Sequence, residues 1–333
     1  MAVDTSQFRN GLKIELDGEP YTIISGFSRI NPLIVAEDAG VAVMSKPLDR
    51  LLGAFLRESR AGILLNSERP IGMMHMTCAH ELGHYFLGHL TTADERLDYA
   101  ETDSVPEQEA NQFAYSLMAP RWLVLRGIRA KGWVKADLLR PAIVYQLSLR
   151  LGISFTAMAW ALARLRFITN TEAGHLSLAK PKALKEEVLP SGVLLPRNAD
   201  VWVLDSRDKD WVIEPRSTDR FLVDLPSHAT AGYLWSIEEL AGEGFTLSPV
   251  LVDAREQKRD RPPMVGGSGE DRYVLAGPAI EGYAKAPTEL RLRERQPWVY
   301  DHDQANALAF RLQFEPDQKG LSDGTRQREI DLQ

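Results

Sequence analysis

The sequence predicts a multidomain chain with an α+β N-terminal part, a helical extension and an all-β C-terminal part. Its 333 residues exceed the ~100–200 residues of one ordinary domain. Up to about residue 170, apolar residues recur at the spacing of helices, with short apolar runs between them. Beyond residue 200 they alternate with polar residues, which is typical of half-buried strands.

Composition and charge place the chain among ordinary globular proteins. Hydrophobic residues make up 44% and charged residues 26%, which argues against a disordered, collagen-like or coiled-coil chain. No run of ~18 uncharged apolar residues occurs, so we expect no membrane span and no membrane partner. The N-terminus lacks the pattern of a secretory signal, and Cys78 is the single cysteine, so the expected location is cytoplasmic.

The expected parts are an N-terminal extension (1–30), an α+β core (31–136), a helix-turn-helix-like part (137–170), a linker (171–199), an all-β domain (200–320) and a loose tail (321–333). The extension should form a hairpin, because an Asp-Gly turn separates two short alternating runs in KIELDGEPYTI. The linker is assigned because it holds three prolines and its apolar residues do not recur at a regular spacing. The tail is assigned because it is polar.

Two helices are expected in the α+β core, together with strands at 41–44 and 62–67. The first helix covers residues 70–90, and Gly88 caps its far end. The second covers residues 106–118. Four of its residues share one apolar face at helical spacing: Ala110, Phe113, Ala114 and Leu117.

The all-β domain is expected from short runs in which apolar and polar residues alternate. The clearest of these runs are residues 221–226, 273–275, 289–293 and 309–314. Clusters of turn-forming residues separate them, so the pattern favours a sandwich or a barrel.

The sharpest functional signal is the motif His80-Glu81-Leu82-Gly83-His84. Residues four apart lie on one face of a helix, so both imidazoles can reach one metal ion. Glu81 is rotated about a quarter turn and can contact a metal-bound water without being a ligand. A zinc ion lowers the pKa of such a water to ~7 and polarises a carbonyl, while the carboxylate transfers the proton. The motif therefore predicts one Zn²⁺ ion in a site suited to hydrolysis.

The motif by itself also occurs on surface helices that happen to carry two histidines. Here it lies between apolar or small residues, namely Met73, Met74, Met76, Cys78 and Ala79 before it and Tyr85, Phe86 and Leu87 after it. These neighbours predict a buried helix, in which two unpaired histidines and a glutamate would be costly. Zinc binding is therefore the favoured interpretation.

A catalytic zinc ion needs a third protein ligand. Glu107 stands 23 residues after His84 and shares a helix face with the small residues Ala110 and Ala114. Glu109 competes with it for this role. Either glutamate could instead be a favourable charge in the first turn of its helix, so the residues alone leave the third ligand open.

A family resemblance bears on this choice. The segment HELGHYFLGH followed by EQEANQFAYSLMAP resembles the ImmA/IrrE family of metallopeptidases, and the resemblance covers roughly residues 25–170. The family pattern E-x-x-A-[ND]-x-x-A with a later proline is matched by Glu107, Ala110, Asn111, Ala114 and Pro120. The resemblance implies a zincin-like, thermolysin-like core in which His80, His84 and Glu107 bind zinc and Glu81 activates water. It therefore favours Glu107 over Glu109.

Other residues near the motif have less definite roles. Asn111 could orient a ligand histidine or be an ordinary polar position, and both interpretations stay open. Cys78 replaces a leucine that the family often has two residues before the motif, and we expect a small core residue that points away from the metal. His89 is expected to lie off the ligand face, where a surface or capping role is favoured over a metal role. Tyr85 and Tyr145 are candidates for stabilising the oxyanion.

A basic stretch follows the metal motif. Residues 120–170 hold nine Lys and Arg residues and one acidic residue, Asp137, and part of this stretch has a helix, Gly-Ile-Ser, helix pattern. This pattern is compatible with DNA contact, although a net charge of -7 argues against a general nucleic-acid binder. A helical pair that packs on the core and has a solvated basic face explains the stretch as well, as does binding of an acidic protein segment.

Three loops stand out between the strands of the all-β domain: SHATAGYLW (227–235), MVGGSGED (264–271) and RQPW (295–298). Glycines, prolines and aromatic residues are also ordinary components of turns and cores. Together and in this order, the loops resemble those of the chagasin-like cysteine-peptidase inhibitors, over roughly residues 200–316. The resemblance implies an immunoglobulin-like sandwich whose partner-binding loops contain Thr230, Gly232, Tyr233, Gly266, Gly267, Gly269, Arg295 and Trp298.

These loops also depart from the inhibitor pattern. His228-Ala229-Thr230-Ala231 stands in place of Asn-Pro-Thr-Thr, and Gln296 interrupts Arg-Pro. The resemblance therefore implies the fold more strongly than inhibition of a cysteine peptidase. Recognition of another protein, or covering of the zinc cleft, fits the loops equally well.

The sequence as a whole predicts a zinc endopeptidase with a regulatory role, acting on one or few partner proteins. The family resemblance implies a transcriptional repressor as one such substrate, and the β domain would serve recognition, sensing or autoinhibition. One alternative is a sensor or inhibitor protein with a structural or vestigial zinc site. A second alternative is a DNA-binding stress regulator that uses residues 120–170.

Overall fold

A computed structural model describes the fold of residues 14–15, 22–23, 27–57, 60–90, 92–94, 104–190, 193–196, 198–237, 245–250, 269–276, 287–296, 298, 306–316 and 319–331. The chain divides into two compact units. The first consists of Met1–Leu184 together with Asp317–Gln333, and the second consists of Lys185–Pro316. The chain therefore leaves the first unit, forms the second, and returns.

The first unit combines a sheet and a hairpin with a group of helices. Its strands are β1 (Ile14–Glu15), β2 (Thr22–Ile23), β3 (Ala42–Lys46), β4 (Gly53–Arg57), β5 (Ala61–Asn66), β6 (Thr92–Asp94) and β15 (Gly320–Leu321). Its helices are α1 (Pro32–Asp38), α2 (Ile71–Leu87), α3 (Val105–Met118), α4 (Arg121–Ala130), α5 (Pro141–Leu151), α6 (Phe155–Arg164), α7 (Asn170–Ser177), α8 (Pro181–Val188, which runs past the boundary at Leu184) and α9 (Asp323–Asp331).

The five-stranded sheet has the order β15-β3-β5-β4-β6, in which β3 and β5 are parallel and the other pairs are antiparallel. The strands predicted at 41–44 and 62–67 are confirmed as β3 and β5. The predicted N-terminal hairpin is confirmed in the antiparallel pair β1–β2, and its Asp-Gly turn lies outside the described residues.

The two predicted helices of the core are confirmed as α2 and α3. The face of α3 predicted to be apolar is buried at all four positions, Ala110, Phe113, Ala114 and Leu117. Helix α2 is buried from Met74 to His84 and ends at Gly88, which adopts the left-handed conformation with φ 78°. The apolar side chains of α1–α8 and the sheet form one continuous core.

The expectation of a linker over residues 171–199 is wrong for residues 171–188, which contain most of α7 and all of α8. Thr169 and Glu172 form a reciprocal capping box that begins α7. Pro181 occupies the first position of α8, where a missing N–H costs no hydrogen bond. Leu176 and Leu184 are buried in the core. Of the three prolines that suggested a linker, Pro181 therefore marks where a helix begins.

The expectation of a loose tail over residues 321–333 is also wrong, as is the boundary of the β domain at residue 320. Strand β15 pairs with the edge of β3, and Ser322 N donates to the Val43 carbonyl at 2.9 Å. Thr325 Oγ1 accepts a hydrogen bond from Val43 N at 3.0 Å, and Gly324 N donates to Glu37 Oε1. The polar composition of this segment was misleading because its attachment depends on backbone pairing and hydroxyl groups.

We expect Thr325→Val to destabilise the first unit by about 1–3 kcal/mol. Valine has the shape of threonine but leaves the buried Val43 N–H without its acceptor, and an unmade hydrogen bond costs roughly this much. Denaturant unfolding of the full chain measures the effect. Thr171→Val at an exposed position of α7 is the matched control, for which we expect a change within about 0.5 kcal/mol. Equal stability of the two variants would contradict the structural role of this segment.

The second unit is rich in strands. They are β7 (Val201–Asp205), β8 (Val212–Ile213), β9 (Arg220–Ser227), β10 (Leu234–Ile237), β11 (Thr246–Pro249), β12 (Gly269–Ala276), β13 (Thr288–Arg295) and β14 (Asn306–Leu312). They form two four-stranded sheets with the orders β10-β13-β14-β8 and β11-β12-β9-β7.

The four runs with a period of two fall within β9, β12, β13 and β14, except that residues 313–314 lie past the end of β14. A separate β-rich region is thus confirmed. Its immunoglobulin-like character, like the zincin-like character of the first unit, stays a prediction. Most pairings are antiparallel, whereas β7–β9 and β14–β8 are parallel.

Candidate metal centre

The centre of the first unit is the contact between α2 and α3. Gly83 lies at this contact, and a Cβ atom added there would lie 2.8 Å from Ala110 Cα and 3.0 Å from the Ala110 carbonyl oxygen. Only glycine lets the two helix backbones approach this closely. The approach brings the α2 face that carries His80 and His84 next to the first turn of α3, where Glu107 is located.

Three side chains converge at this contact. His80 Nε2 lies 3.0 Å from His84 Nε2 and 3.0 Å from Glu107 Oε2, and His84 Nε2 lies 3.4 Å from Glu107 Oε1. Two ligands bound at about 2.0–2.1 Å to a tetrahedral ion are separated by about 3.3–3.4 Å. The His84–Glu107 separation matches this value and the other two separations are slightly shorter, and the nitrogen and oxygen donor set suits Zn²⁺.

The surroundings of the three side chains differ. The imidazoles of His80 and His84 are buried, whereas the side chain of Glu107 is 25% exposed. The hydrogen bond with His80 holds the pKa of the Glu107 carboxyl below its ordinary value, and the nearby histidines add to this effect. Glu107 is therefore a carboxylate, which is the form that binds metal.

Glu81, which follows His80 directly in the chain, is fully buried. Its carboxylate lies against β4, where a Cβ atom added to Gly53 would be 3.1 Å from Glu81 Oε1 and 2.4 Å from Thr77 Cγ2. Gly53 therefore makes room first for the Thr77 methyl group and, less tightly, for the Glu81 carboxylate. The sequence analysis did not identify this glycine, since no motif marks a residue of another strand.

The second ring nitrogen of each histidine also has a partner. His80 Nδ1 lies 3.1 Å from Asn111 Oδ1, one helical turn beyond Glu107. His84 Nδ1 lies 2.9 Å from His89 Nδ1. As expected, His89 is not among the metal-ligating side chains of the described residues, and its backbone N–H caps α2 by donating to the His84 carbonyl. The contact of its ring with His84 was not expected, and it arises because α2 ends at Gly88 and the chain turns back there. The sequence signal for this turn was Gly88 itself.

Glu109, the competing third ligand, lies elsewhere. Its Oε2 atom is 3.2 Å from His89 Nε2, and the cluster of possible metal ligands among the described residues contains Glu107 instead. Cys78 is fully buried in the core, as expected, and burial raises the pKa of its thiol. Tyr85 donates its hydroxyl to the Ala39 carbonyl, and Tyr145 is buried in the core, so an oxyanion role for either tyrosine stays a prediction.

The basic stretch forms α4 to α6, and α5 and α6 are bent by 95° at a short turn, as expected for a helix-turn-helix-like pair. Seven of the ten residues of α6 are buried. Arg150 and Lys131 are also buried, so the charge excess is only partly on the surface. A recognition helix needs an exposed face, and α6 presents little of one.

Within the described ranges, no single helix is long and apolar enough to cross a membrane, although the bent pair α5–α6 would be by length and composition.

Two of the candidate loops of the second unit meet. Gly232 has φ 81°, and a Cβ atom there would lie 2.3 Å from Trp298 Cη2, so the Trp298 indole lies on the glycine. Gln296 Nε2 donates to the Ala231 carbonyl at 2.9 Å. Trp298 is nevertheless 65% exposed. The loops predicted at 227–235 and 295–298 thus contact each other through Gly232 and Trp298 and through Ala231 and Gln296.

The other candidate residues have the following places. Gly269 begins β12 opposite Ser227, where the 227–235 loop starts, and Arg295 ends β13 opposite Leu234. Tyr233 is half-buried in the loop, and Thr230 is in its short 3₁₀ turn. Gly266 and Gly267 lie outside the described residues.

The part of the chain that contains the metal centre matches one known protein family. Residues 36–162 match the family of the IrrE N-terminal-like domain, Peptidase_M78, which confirms the first predicted resemblance. This match covers α2, α3 and the three converging side chains, and it points to a zinc metallopeptidase-like domain. It does not extend to the second unit.

The solved structures that are similar to part of this chain include two proteins. One is a cysteine protease inhibitor from Entamoeba histolytica, with 16% sequence identity, a TM-score of 0.26, and coverage of 36% of this chain and 99% of that chain. The other is Amebosin, with 16% identity, a TM-score of 0.25, and coverage of 35% and 98%. The resemblance to cysteine-peptidase inhibitors that the sequence predicted is therefore also found by comparison with solved structures. The TM-scores are too low to establish a shared fold. No curated protein matches the chain.

Proposed function

We propose that the first unit is a zinc-dependent peptidase. The observation that carries this proposal is the convergence of His80, His84 and Glu107 beside the buried Glu81. Structural zinc sites use four protein ligands, whereas catalytic sites use three and keep one position for water or substrate. Three ligands within reach of one another, with the buried Glu81 directly after His80 in the chain, favour catalysis over a structural zinc site.

The side chains divide the work as follows. His80, His84 and Glu107 would hold the ion, which supplies a Lewis acid and lowers the pKa of a bound water. Glu81 accepts the proton of the attacking water and passes it to the leaving amine. Its burial keeps bulk water away from this proton transfer, and Gly53 leaves the carboxylate its space.

We infer that the substrate is a protein, cut at one or few sites in a regulatory reaction in the cytoplasm, with a transcriptional repressor as one candidate. The second unit would recognise this partner or regulate access to the site. The contact between Trp298 and Gly232 supports this role, because it presents a largely exposed aromatic side chain on a fixed loop.

Metal analysis and a comparison of cleavage products test this proposal. We expect about one zinc ion per purified chain. We also expect that cells with the wild-type protein contain new protein termini that are absent from cells with Glu81→Gln. The uncut substrate should co-purify with the variant. Purified protein without bound transition metal, or identical sets of termini, would refute the proposed activity.

A further inference from the structure

The hydrogen-bonding contacts of His84 continue outward from the metal cluster. His84 Nδ1 lies 2.9 Å from His89 Nδ1, and His89 Nε2 lies 3.2 Å from Glu109 Oε2. These contacts use the ring nitrogen of His84 that is not directed at His80 and Glu107. The imidazole of His89 is mostly buried at 12% exposure, whereas the Glu109 carboxylate is 54% exposed.

This series of contacts determines which nitrogen of each ring carries the proton. A carboxylate only accepts, so His89 Nε2 donates to Glu109. A neutral His89 then has its lone pair on Nδ1, and His84 Nδ1–H donates to it. His84 Nε2 keeps its own lone pair, which is the form of the ring that binds a metal ion.

The backbone around His89 is fixed independently of these rings. Gly88, in the left-handed conformation, reverses the chain, and His89 N donates to the His84 carbonyl at 2.9 Å. The Arg57 guanidinium, at the end of β4, donates to the carbonyls of His89 at 2.9 Å and Tyr85 at 2.7 Å. His89 is therefore held against His84 by backbone contacts from two sides.

We propose that His89, supported by Glu109, is a positioning residue that sets the tautomer and ring orientation of His84 for metal binding. This inference rests on the proposed zinc site and adds two residues to it. Asn111 provides the corresponding acceptor for His80, so both histidine ligands are oriented through Nδ1. Partners of this kind change metal affinity by about 10–100-fold when they are removed from metal sites.

The test is the Zn²⁺ affinity of the full chain, measured by competition with a chromophoric chelator. We expect His89→Ala to lower the affinity by about 10–100-fold. His89→Asn should retain most of it, because the side-chain carbonyl of asparagine can accept from His84 Nδ1–H. Glu109→Ala should weaken binding by a smaller factor, and His175→Ala, at an exposed histidine of α7, should have no effect.

Unfolding of the metal-free protein separates positioning from a purely structural role. We expect the metal-free forms of His89→Ala and His89→Asn to be equally stable while their zinc affinities differ. Wild-type affinity in His89→Ala would overturn the inference, and so would an equal loss in the alanine and asparagine variants. Unchanged affinity in Glu109→Ala would remove the part assigned to Glu109. A wild-type chain that binds no zinc would instead refute the proposed function itself.

Discussion

Glu81→Gln should bind zinc like the wild type and cleave its substrate about 100–10,000-fold more slowly, which is the usual contribution of a general base or acid. Glutamine has nearly the same shape as glutamate, so it fits the space beside Gly53, but it cannot take a proton from water. Because Glu81 is not among the three converging ligands, its loss should leave the metal in place. The two measurements are the number of zinc ions per chain and the rate at which each form cleaves the substrate that co-purifies with Glu81→Gln.

His84→Ala is the matched variant on the same helix, and we expect it to lose both zinc and cleavage. The substitution removes one of three ligands that lie within 4.8 Å of one another. The two variants therefore separate metal binding from proton transfer, since only one of them should lose the ion. Normal cleavage by Glu81→Gln would show that another group is the base, and full zinc content in His84→Ala would show that the ligands are wrong.

Gly83→Ala should weaken zinc binding without changing any ligand. The added methyl group would lie 2.8 Å from Ala110 Cα, which is backbone and cannot turn aside. Helices α2 and α3 must then move apart, which separates Glu107 from the two histidines. Overpacking of this kind costs about 1–3 kcal/mol of stability. Zinc affinity and denaturant unfolding of the metal-free chain measure the two effects.

Gly174→Ala is the control for this substitution. It makes the same chemical change in α7, where an added methyl group meets nothing within 4 Å. Alanine is a better helix former than glycine, so this variant should be as stable as the wild type or up to about 1 kcal/mol more stable. If Gly83→Ala behaves like its control, the close helix contact does not determine the metal geometry.

Local sequence patterns predicted the elements that depend on nearby residues. The buried face of α3 was readable from Ala110, Phe113, Ala114 and Leu117 because apolar residues at helical spacing must face a core. The pair His80 and His84 was readable because a helix fixes the geometry of residues four apart. Glu107, on another helix, required the family resemblance, since spacing alone did not distinguish it from Glu109.

Contacts between distant parts of the chain were not readable. Gly53 meets Glu81 across a strand and a helix, and Thr325 meets Val43 across 282 positions of sequence. Neither contact leaves a periodic pattern, because each depends on tertiary packing. His89 is an intermediate case. Its neighbour Gly88 signalled a helix end, but only the conformation at that end showed that the imidazole returns to His84.

The return of the chain to β3 has a consequence for biosynthesis. A ribosome must make the whole of Lys185–Pro316 before β15 exists, and until then the outer edge of β3 has no strand beside it. Exposed edges pair readily with strands of other molecules, so a nascent or truncated chain is prone to aggregation at this edge. Helper proteins that shield such edges during translation should therefore improve the yield of folded protein.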